Sequence, residues 1–282
     1  MHGSLVSALI VATLLVGSGF THASGRDDVA KLRKSKDVNG LMRLLRHQDG
    51  EVRRDAAVAL SNVIRDVKDS RKLARHILPL IDVTLRDPYV SVREYAGRAL
   101  QHSMQHVTDV SILRGAVPPL LDMLRSGEVE IKRRQYAAVR LSTLIGKIEH
   151  ESLLVQSIPT LLKATIDDSD EGVREYAGRA LKSALPRVRD KQTLHDGTMT
   201  LVRTLQHKDT KRRIYSAVLL SWLVPKVTEL NTLRSVATRI KDAAKRDRSD
   251  RVRDYAGRAD RHIEQRLQEA KAEAEAGKTK RS

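Results

Sequence analysis

Apolar residues recur along most of this chain with the spacing of one face of an α-helix. The clearest stretch follows the i, i+4, i+7, i+8 pattern of an amphipathic helix: Val92, Ala96, Ala99 and Leu100. A second helix-like stretch, from Leu73 to Leu85, precedes it, and the turn residues Asp87 and Pro88 separate the two. Because the same arrangement occurs elsewhere in the chain, the pattern predicts pairs of helices joined by short loops, with no strands.

These helix pairs repeat about every 40 residues. The segment from Val92 to Ala99 occurs again unchanged from Val173 to Ala180, and once more from Val252 to Ala259 with Asp in place of Glu. A related series lies between these copies, so that one arginine begins the second helix of every unit: Arg53, Arg93, Arg134, Arg174, Arg213 and Arg253. A period of this length predicts an all-α solenoid of six helical hairpins, built from three copies of a two-hairpin block.

An acidic residue stands six positions before this arginine in four of the units: Asp87, Glu128, Asp168 and Asp247. The other two units have His47 and His207 at that place. The acid, the Val-Arg that follows it and a proline inside the first helix resemble the HEAT family, particularly its bacterial and archaeal branch named after phycobilisome lyases. The resemblance covers roughly residues 36 to 265. It implies a stack of HEAT-like hairpins with a binding role and leaves the partner open.

We interpret the six arginines and four acids as a structural ladder that ties neighbouring units together, rather than as a phosphate-binding site. Three further arginines, Arg98, Arg179 and Arg258, each follow an acid by four residues, the favourable order for an ion pair on a helix surface. Glycine precedes each of them, at a cost of about 1 kcal/mol in a helix interior, and we interpret it as the mark of a close helix contact.

A second group of cations lies beside the ladder arginines, at the starts of second helices: Arg54, Lys132, Arg133, Lys211 and Arg212. Positive charge at a helix N-terminus is unfavourable with the helix dipole, which favours a functional reason for keeping it. In HEAT arrays the second helices line the concave face, where these residues would form a basic stripe. They are our candidate binding residues.

The net charge of +17 decides which partners to expect. Such a field attracts acidic proteins, nucleic acids and other polyanions. Only 3% of the residues are aromatic, which disfavours stacking on single-stranded nucleic acid. We therefore expect a monomeric, non-enzymatic scaffold for an acidic protein partner, with a nucleic-acid or other polyanion binder as the alternative.

Candidate catalytic chemistry is scarce in this sequence. There is no cysteine, which excludes disulfides, thiolate catalysis and cysteine-based metal sites. His102 and His106 have a spacing that can chelate a metal, but no third ligand is evident, so we predict no metal, no cofactor and no catalytic residue. A lyase-type subunit that acts together with a partner is the third alternative.

The two ends of the chain differ from the repeats. Residues 5–20 are apolar or small, too short a run for a membrane span of about 20 residues, and Thr21-His22-Ala23 offers a signal peptidase site. We predict a signal peptide over residues 1–23, a secreted or periplasmic protein, and no transmembrane insertion of the mature chain. An uncleaved anchor and a start codon placed too far upstream are the alternatives, and the latter would make the protein cytoplasmic. The solenoid is expected over residues 24–265 and a charged tail over 266–282.

Overall fold

A computed structural model describes residues 22–125 and 130–279 of the chain. Over those residues it contains helices and turns and no strand, which confirms the all-α solenoid. A helix that precedes the repeats, α1 (His22–Lys34), is followed by six hairpins, each with a first helix, a loop and a second helix. Residues 1–21 of the predicted signal peptide lie outside the described ranges.

The first helices of hairpins 1 to 6 form one row and the second helices another. The first helices are α2 (Val38–Leu44), the two pieces α4 (Ser70–Ala74) and α5 (Ile77–Arg86), α7 (Val110–Arg125), α9 (Glu151–Asp167), α11 (Lys191–Thr204) and α13 (Leu230–Arg246). The second helices are α3 (Gly50–Val63), α6 (Val90–His106), α8 (Ile131–Leu144), α10 (Glu171–Ala184), α12 (Thr210–Leu223) and α14 (Asp250–Thr279). The last helix therefore runs on without a break into the segment predicted as a tail.

Aspartate side chains fix where many of these helices begin. Each accepts a hydrogen bond from a backbone N–H of the first turn and so satisfies a donor that has no partner inside the helix: Asp37, Asp49, Asp69, Asp170, Asp190 and Asp209. A cap of this kind contributes about 1 kcal/mol. Asp49, Asp170 and Asp209 each stand four residues before the ladder arginine, so the same residue type begins the second helix in hairpins 1, 4 and 5.

The first helix of hairpin 2 is interrupted at Arg75 and His76, between α4 and α5. Pro79 is the third residue of α5, in the first helical turn, where its missing N–H costs no intrahelical hydrogen bond. Pro159, at the equivalent place in hairpin 4, instead lies inside the continuous helix α9. The repeated proline thus lies in the first turn of a helix in hairpin 2 and inside a longer helix in hairpin 4.

One hydrophobic core runs the length of the stack, from Val29 in α1 to Ile263 in α14. The second helices pack most closely in pairs, α3 with α6, α8 with α10 and α12 with α14, which are the two-hairpin blocks seen in the sequence. The helix α1 packs on α2 and α3 at one end of the stack, where Gly25 lies against Val52. None of the helices in the described ranges is long and apolar enough to span a bilayer.

Candidate protein-binding face

The ladder arginines of hairpins 1, 3 and 5 bind carboxylates of the following hairpin. The pairs are Arg53–Asp87, Arg134–Asp168 and Arg213–Asp247, with Nε–Oδ2 distances of 2.8, 2.9 and 2.8 Å. Each aspartate is 34 residues further along the chain, in the loop of the next unit. The side chains in these pairs are at most 12% exposed, so each ion pair is buried between two hairpins.

The ladder arginines of hairpins 2, 4 and 6 hold the backbone of the same three aspartates. Their Nη1 atoms donate to a main-chain carbonyl oxygen six residues earlier, in the pairs Arg93–Asp87, Arg174–Asp168 and Arg253–Asp247 at 2.8, 2.8 and 2.7 Å. The six-residue spacing therefore reflects a bond to the backbone of the acid, while its carboxylate binds the previous hairpin. Each aspartate is held from both sides.

The fourth acid of the predicted ladder, Glu128, lies outside the described residues. Between hairpins 2 and 3 the described residues include Glu130, whose Oε2 accepts a hydrogen bond from Arg93 at 2.8 Å. This glutamate was not singled out from the sequence, because it stands 37 residues after its partner and at a different place in the loop from the three aspartates.

Ionisation in the ladder follows from these contacts. Burial would raise the pKa of Asp247, but hydrogen bonds from Arg213 and from the backbone N–H of Ser249 outweigh it, and the pKa is lowered. The hydrogen bond to Asp168 raises the pKa of Arg134. Both effects favour the charged forms of these two groups, Asp247 and Arg134.

Two cations of the predicted basic stripe are paired with exposed glutamates. Arg54 lies 2.8 Å from Glu51 in the first turn of α3, and Lys211 lies 2.7 Å from Glu171 at the start of α10. All four side chains are at least 39% exposed, so solvent screens these pairs and they contribute little to stability. They also reduce the positive charge that this end of the helices presents.

The other three stripe cations differ among themselves. Arg133 and Arg212 are only 27% and 20% exposed, with Arg212 lying 3.9 Å from Asp167 and 3.8 Å from Asp209. Lys132 is exposed, and no carboxylate of the described residues lies within 4.0 Å of it. The stripe is therefore a surface of mixed charge, in which Lys132 is the one cation without a carboxylate of the described residues beside it.

The second helices also carry a feature that sequence reasoning missed. In four hairpins a guanidinium group stacks on a partly buried tyrosine of the same helix, with 4.7–4.9 Å between its central carbon and the ring centroid: Arg98 on Tyr95, Arg140 on Tyr136, Arg179 on Tyr176 and Arg258 on Tyr255. Cation–π attraction of this kind contributes about 0.5–1 kcal/mol at exposed sites. We call these four pairs the Tyr–Arg face.

The predicted helix-surface ion pairs share this face. Arg179 binds Glu175 and Arg258 binds Asp254, as the four-residue spacing indicated. Arg98 differs, since no carboxylate of the described residues lies within 4.0 Å of it and it stacks on Tyr95 alone. The repeated Tyr-Ala-Gly-Arg string contained the stacking signal as an i, i+3 pair of tyrosine and arginine.

Contacts between second helices link the Tyr–Arg pairs of α6 and α8. The Tyr136 hydroxyl donates to the Gly97 carbonyl oxygen at 3.2 Å, and Arg140 donates to the Gln101 side chain at 3.0 Å, which links α8 to α6. A Cβ atom at Gly97 would lie 2.7 Å from the Tyr136 ring, so this glycine does permit a close helix contact. At Gly257 a Cβ atom would lie 3.6 Å from the Arg261 side chain and 4.0 Å from Ala244, so the close contact is missing there.

Near the C-terminal end of this surface lies the only tryptophan of the chain. Trp222 is 45% exposed, and the Lys182 Nζ lies 5.1 Å from the centroid of its ring. A cleft of about 290 Å³ opens here between α10, α12 and α14, lined by Lys182, Val218, Ser221, Trp222, Tyr255 and Arg258. No single repeat contains this cleft, because three successive hairpins contribute to it.

The two histidines considered for metal binding lie next to each other on α6. His102 and His106 lie with their ring centroids 4.5 Å apart, and a ring nitrogen of His102 lies 3.4 Å from the Val67 carbonyl oxygen. Over the residues that the structure describes, no three His, Asp or Glu side chains are grouped closely enough to hold a metal ion.

Solved structures of helical repeat proteins are similar to this chain. An archaeal HEAT-like repeats protein from Thermococcus onnurineus NA1 has a TM-score of 0.56 at 17% identity, over 86% of this chain and 94% of that one. Computationally designed armadillo repeat proteins for modular peptide recognition give 0.55 at 15% identity, over 80% and 99% of the two chains. A designed armadillo repeat protein in complex with the peptide (KR)4 gives 0.51 at 14% identity, over 80% and 99%.

No protein-family model matches the sequence, and no curated protein is significantly similar to it. Identities below 20% carry no information about shared partners or activities, and the likeness concerns the backbone. It shows that the chain has the helical repeat fold of HEAT-like and armadillo proteins, an all-α solenoid.

Proposed function

We propose that this protein is a non-enzymatic binding scaffold that holds an acidic protein partner along its second helices. The observation that carries the proposal is the Tyr–Arg face, which presents the same stacked pair in four of the six hairpins. Tyrosine and arginine are the residue types that contribute most to protein interfaces, together with tryptophan. Stacking orders the long arginine side chains before a partner arrives and so lowers the entropic cost of binding.

The charge of the chain favours an acidic partner. One designed armadillo protein of the same fold is in complex with a basic peptide, (KR)4. The present chain has a net charge of +17, so the complementary ligand has the opposite sign. Lys132 and the other four stripe cations lie at the starts of the second helices, and we place them at the rim of this interface, where charge acts mainly on the rate of association.

A protein partner fits the face better than nucleic acid does. Glu94, Glu175 and Asp254 alternate with the stacked arginines on the same helices and would repel a continuous phosphate backbone. A polypeptide offers amide groups and apolar side chains as well as carboxylates, so it can avoid these acids. Nucleic-acid binding is supported by the net charge alone, and a lyase-type role only by the resemblance to the phycobilisome-lyase branch.

The first step of the test is to identify the partner. The chain from residue 24 onward serves as bait in a pull-down, bound proteins are eluted with salt, and mass spectrometry identifies them. The affinity of the partner so identified is then measured for Arg98→Gln/Arg179→Gln/Arg258→Gln. The matched control, Arg86→Gln/Arg203→Gln/Arg246→Gln, removes three exposed arginines from first helices. We expect the first triple variant to bind at least about tenfold more weakly and the control to bind like wild type. Equal affinities of the two variants would rule out the Tyr–Arg face as the binding surface.

Export from the cytoplasm is part of the same proposal, supported by the apolar run before Thr21-His22-Ala23. N-terminal sequencing of the protein from its native cells is expected to begin at Ser24. A chain that still begins at Met1 in a cytosolic fraction would contradict export and would favour the nucleic-acid alternative.

A further inference from the structure

We propose that the cleft at Trp222 is the anchor point of the interface, and that it takes a bulky apolar side chain of the partner with a neighbouring carboxylate bound to Lys182. This inference rests on the proposed function, since it names the chemistry of the segment that the scaffold holds. It also goes beyond the Tyr–Arg face, because the residues that it depends on, Trp222 and Lys182, are not among the four stacked pairs.

The shape and lining of the cleft favour an apolar side chain. Val218, Trp222 and Tyr255 supply its apolar surface, from α12 and α14. Its volume of about 290 Å³ lies just below the range for small-molecule sites, about 300–1,000 Å³, and so suits a single large side chain. Burial of an exposed indole against such a side chain removes apolar surface of both molecules from water, which is the main favourable contribution at interface hot spots.

The charges around the cleft favour a carboxylate beside that apolar group. Arg258, at one edge, is already paired with Asp254. Lys182, at the other edge, has no carboxylate of the described residues within 4.0 Å, and its ammonium group is held over the Trp222 ring. A carboxylate that approached Lys182 would gain a charge-assisted hydrogen bond without displacing an existing ion pair. The cleft is therefore matched to an acidic segment with one aromatic or large aliphatic residue.

The single tryptophan gives a specific way to observe this site. The indole N–H of Trp222 is the only one in the chain and produces one side-chain NMR signal of its kind. We would add the capped peptide Gly-Glu-Phe-Glu-Gly to the protein and follow this signal. The comparison peptides are Gly-Gln-Phe-Gln-Gly, which lacks the charges, and Gly-Glu-Ser-Glu-Gly, which lacks the aromatic group. An oligothymidylate of eight nucleotides serves as the nucleic-acid probe.

We expect the first peptide to shift the indole signal to saturation and each comparison peptide to bind at least about tenfold more weakly. The variant Lys182→Gln should lose the preference for the charged peptide, whereas Lys163→Gln, which changes an exposed lysine on the first helix α9, should keep it. No shift with any peptide, or equal shifts with all three, would overturn the inference. A saturating shift with the oligonucleotide alone would also overturn it and would assign the cleft to nucleic acid.

The natural partner, once identified, separates this inference from the proposed function. Trp222→Ala and Lys182→Gln are both changes at exposed positions, and circular dichroism would verify that each variant folds. We expect both to weaken partner binding by at least about tenfold. If the triple arginine variant loses binding while these two variants do not, the inference about the Trp222 cleft is wrong and the proposed scaffold function is retained. If none of the three loses binding, both proposals fail.

Discussion

Arg134 donates hydrogen bonds to both carboxylate oxygens of Asp168, at 2.9 and 3.1 Å, and neither side chain is more than 8% exposed. The aspartate belongs to the next hairpin, so this buried contact joins two repeats. Buried ion pairs of this kind are costly to form, and removal of one partner leaves the other charge without compensation. The stability of the stack is therefore most sensitive to change at such pairs.

The first prediction concerns this pair. Arg134→Gln leaves the Asp168 carboxylate buried without its cation and should lower the free energy of unfolding by about 3–5 kcal/mol. The adjacent change Arg133→Gln removes an arginine 3.8 Å from Glu130, which is itself 44% exposed, and should cost less than about 1 kcal/mol. Urea unfolding followed by circular dichroism measures both. Similar losses in the two variants would contradict a special role of the ladder.

The second prediction uses the lowered pKa of Asp247. A carboxyl group whose pKa is lower in the folded state stabilises the protein above its unfolded pKa, about 3.9, and this contribution disappears as the pH falls towards the lower folded value. The difference in unfolding free energy between wild type and Asp247→Asn should therefore be constant from about pH 5 to 7 and should shrink below about pH 4. Denaturant titrations at several pH values measure it. A difference that grew as the pH fell would show that the pKa shift has the opposite sign.

The third prediction compares two glycines at equivalent positions. Gly257→Ala places its Cβ at ordinary van der Waals distance from Arg261 and Ala244 and should raise the unfolding free energy by up to about 1 kcal/mol, because alanine has the higher helix propensity. Gly97→Ala forces the Tyr136 ring to move and should destabilise the protein despite the same gain in propensity. Thermal melts show whether each variant is more or less stable than the wild type. A stabilised Gly97→Ala variant would mean that the Tyr136 ring adjusts freely.

The fourth prediction concerns the mixed charge of the stripe. Arg212→Glu places a third carboxylate beside Asp167 and Asp209 and should cost about 1–2 kcal/mol of stability. Lys132→Glu meets no carboxylate of the described residues within 4.0 Å and should change stability by less than about 0.5 kcal/mol. Chemical denaturation compares them. If Lys132→Glu is the more destabilising change, the assignment of Lys132 to the open part of the stripe is wrong.

The architecture was accessible from the sequence because every hairpin repeats the same local signals. The 40-residue period, the apolar spacing and the loop residues act within one unit, and the structure confirms the solenoid that they predict. The interruption at Arg75 and His76 was not foreseen, since Pro79 and Pro159 stand at equivalent positions with different helices around them. Such differences depend on packing that no single repeat encodes.

The candidate site was less accessible, because its contacts join residues of different repeats. The bond from Arg93 to its own loop is visible as a spacing of six residues, whereas its bond to Glu130 requires knowledge of how hairpins 2 and 3 stack. The four residues from Glu94 to Arg98 indicated an ion pair, but the arginine stacks on Tyr95 instead. The cleft at Trp222 is lined by residues of three helices, and their convergence appears only in the folded chain.

The three aspartates held from both sides, of which Asp168 is one, also bear on how the chain grew. An odd-numbered hairpin supplies the arginine for the carboxylate, and the even-numbered hairpin after it supplies both the aspartate and the arginine for its backbone. If hairpin 1 or hairpin 5 were copied alone, the copied arginine would face a loop with His47 or His207 in place of the aspartate, and this buried cation would lack its counterpart. Duplicating two hairpins at a time gives each of these buried charges its counterpart. The smallest unit by which this protein can be extended, in evolution or by design, is therefore a pair of hairpins.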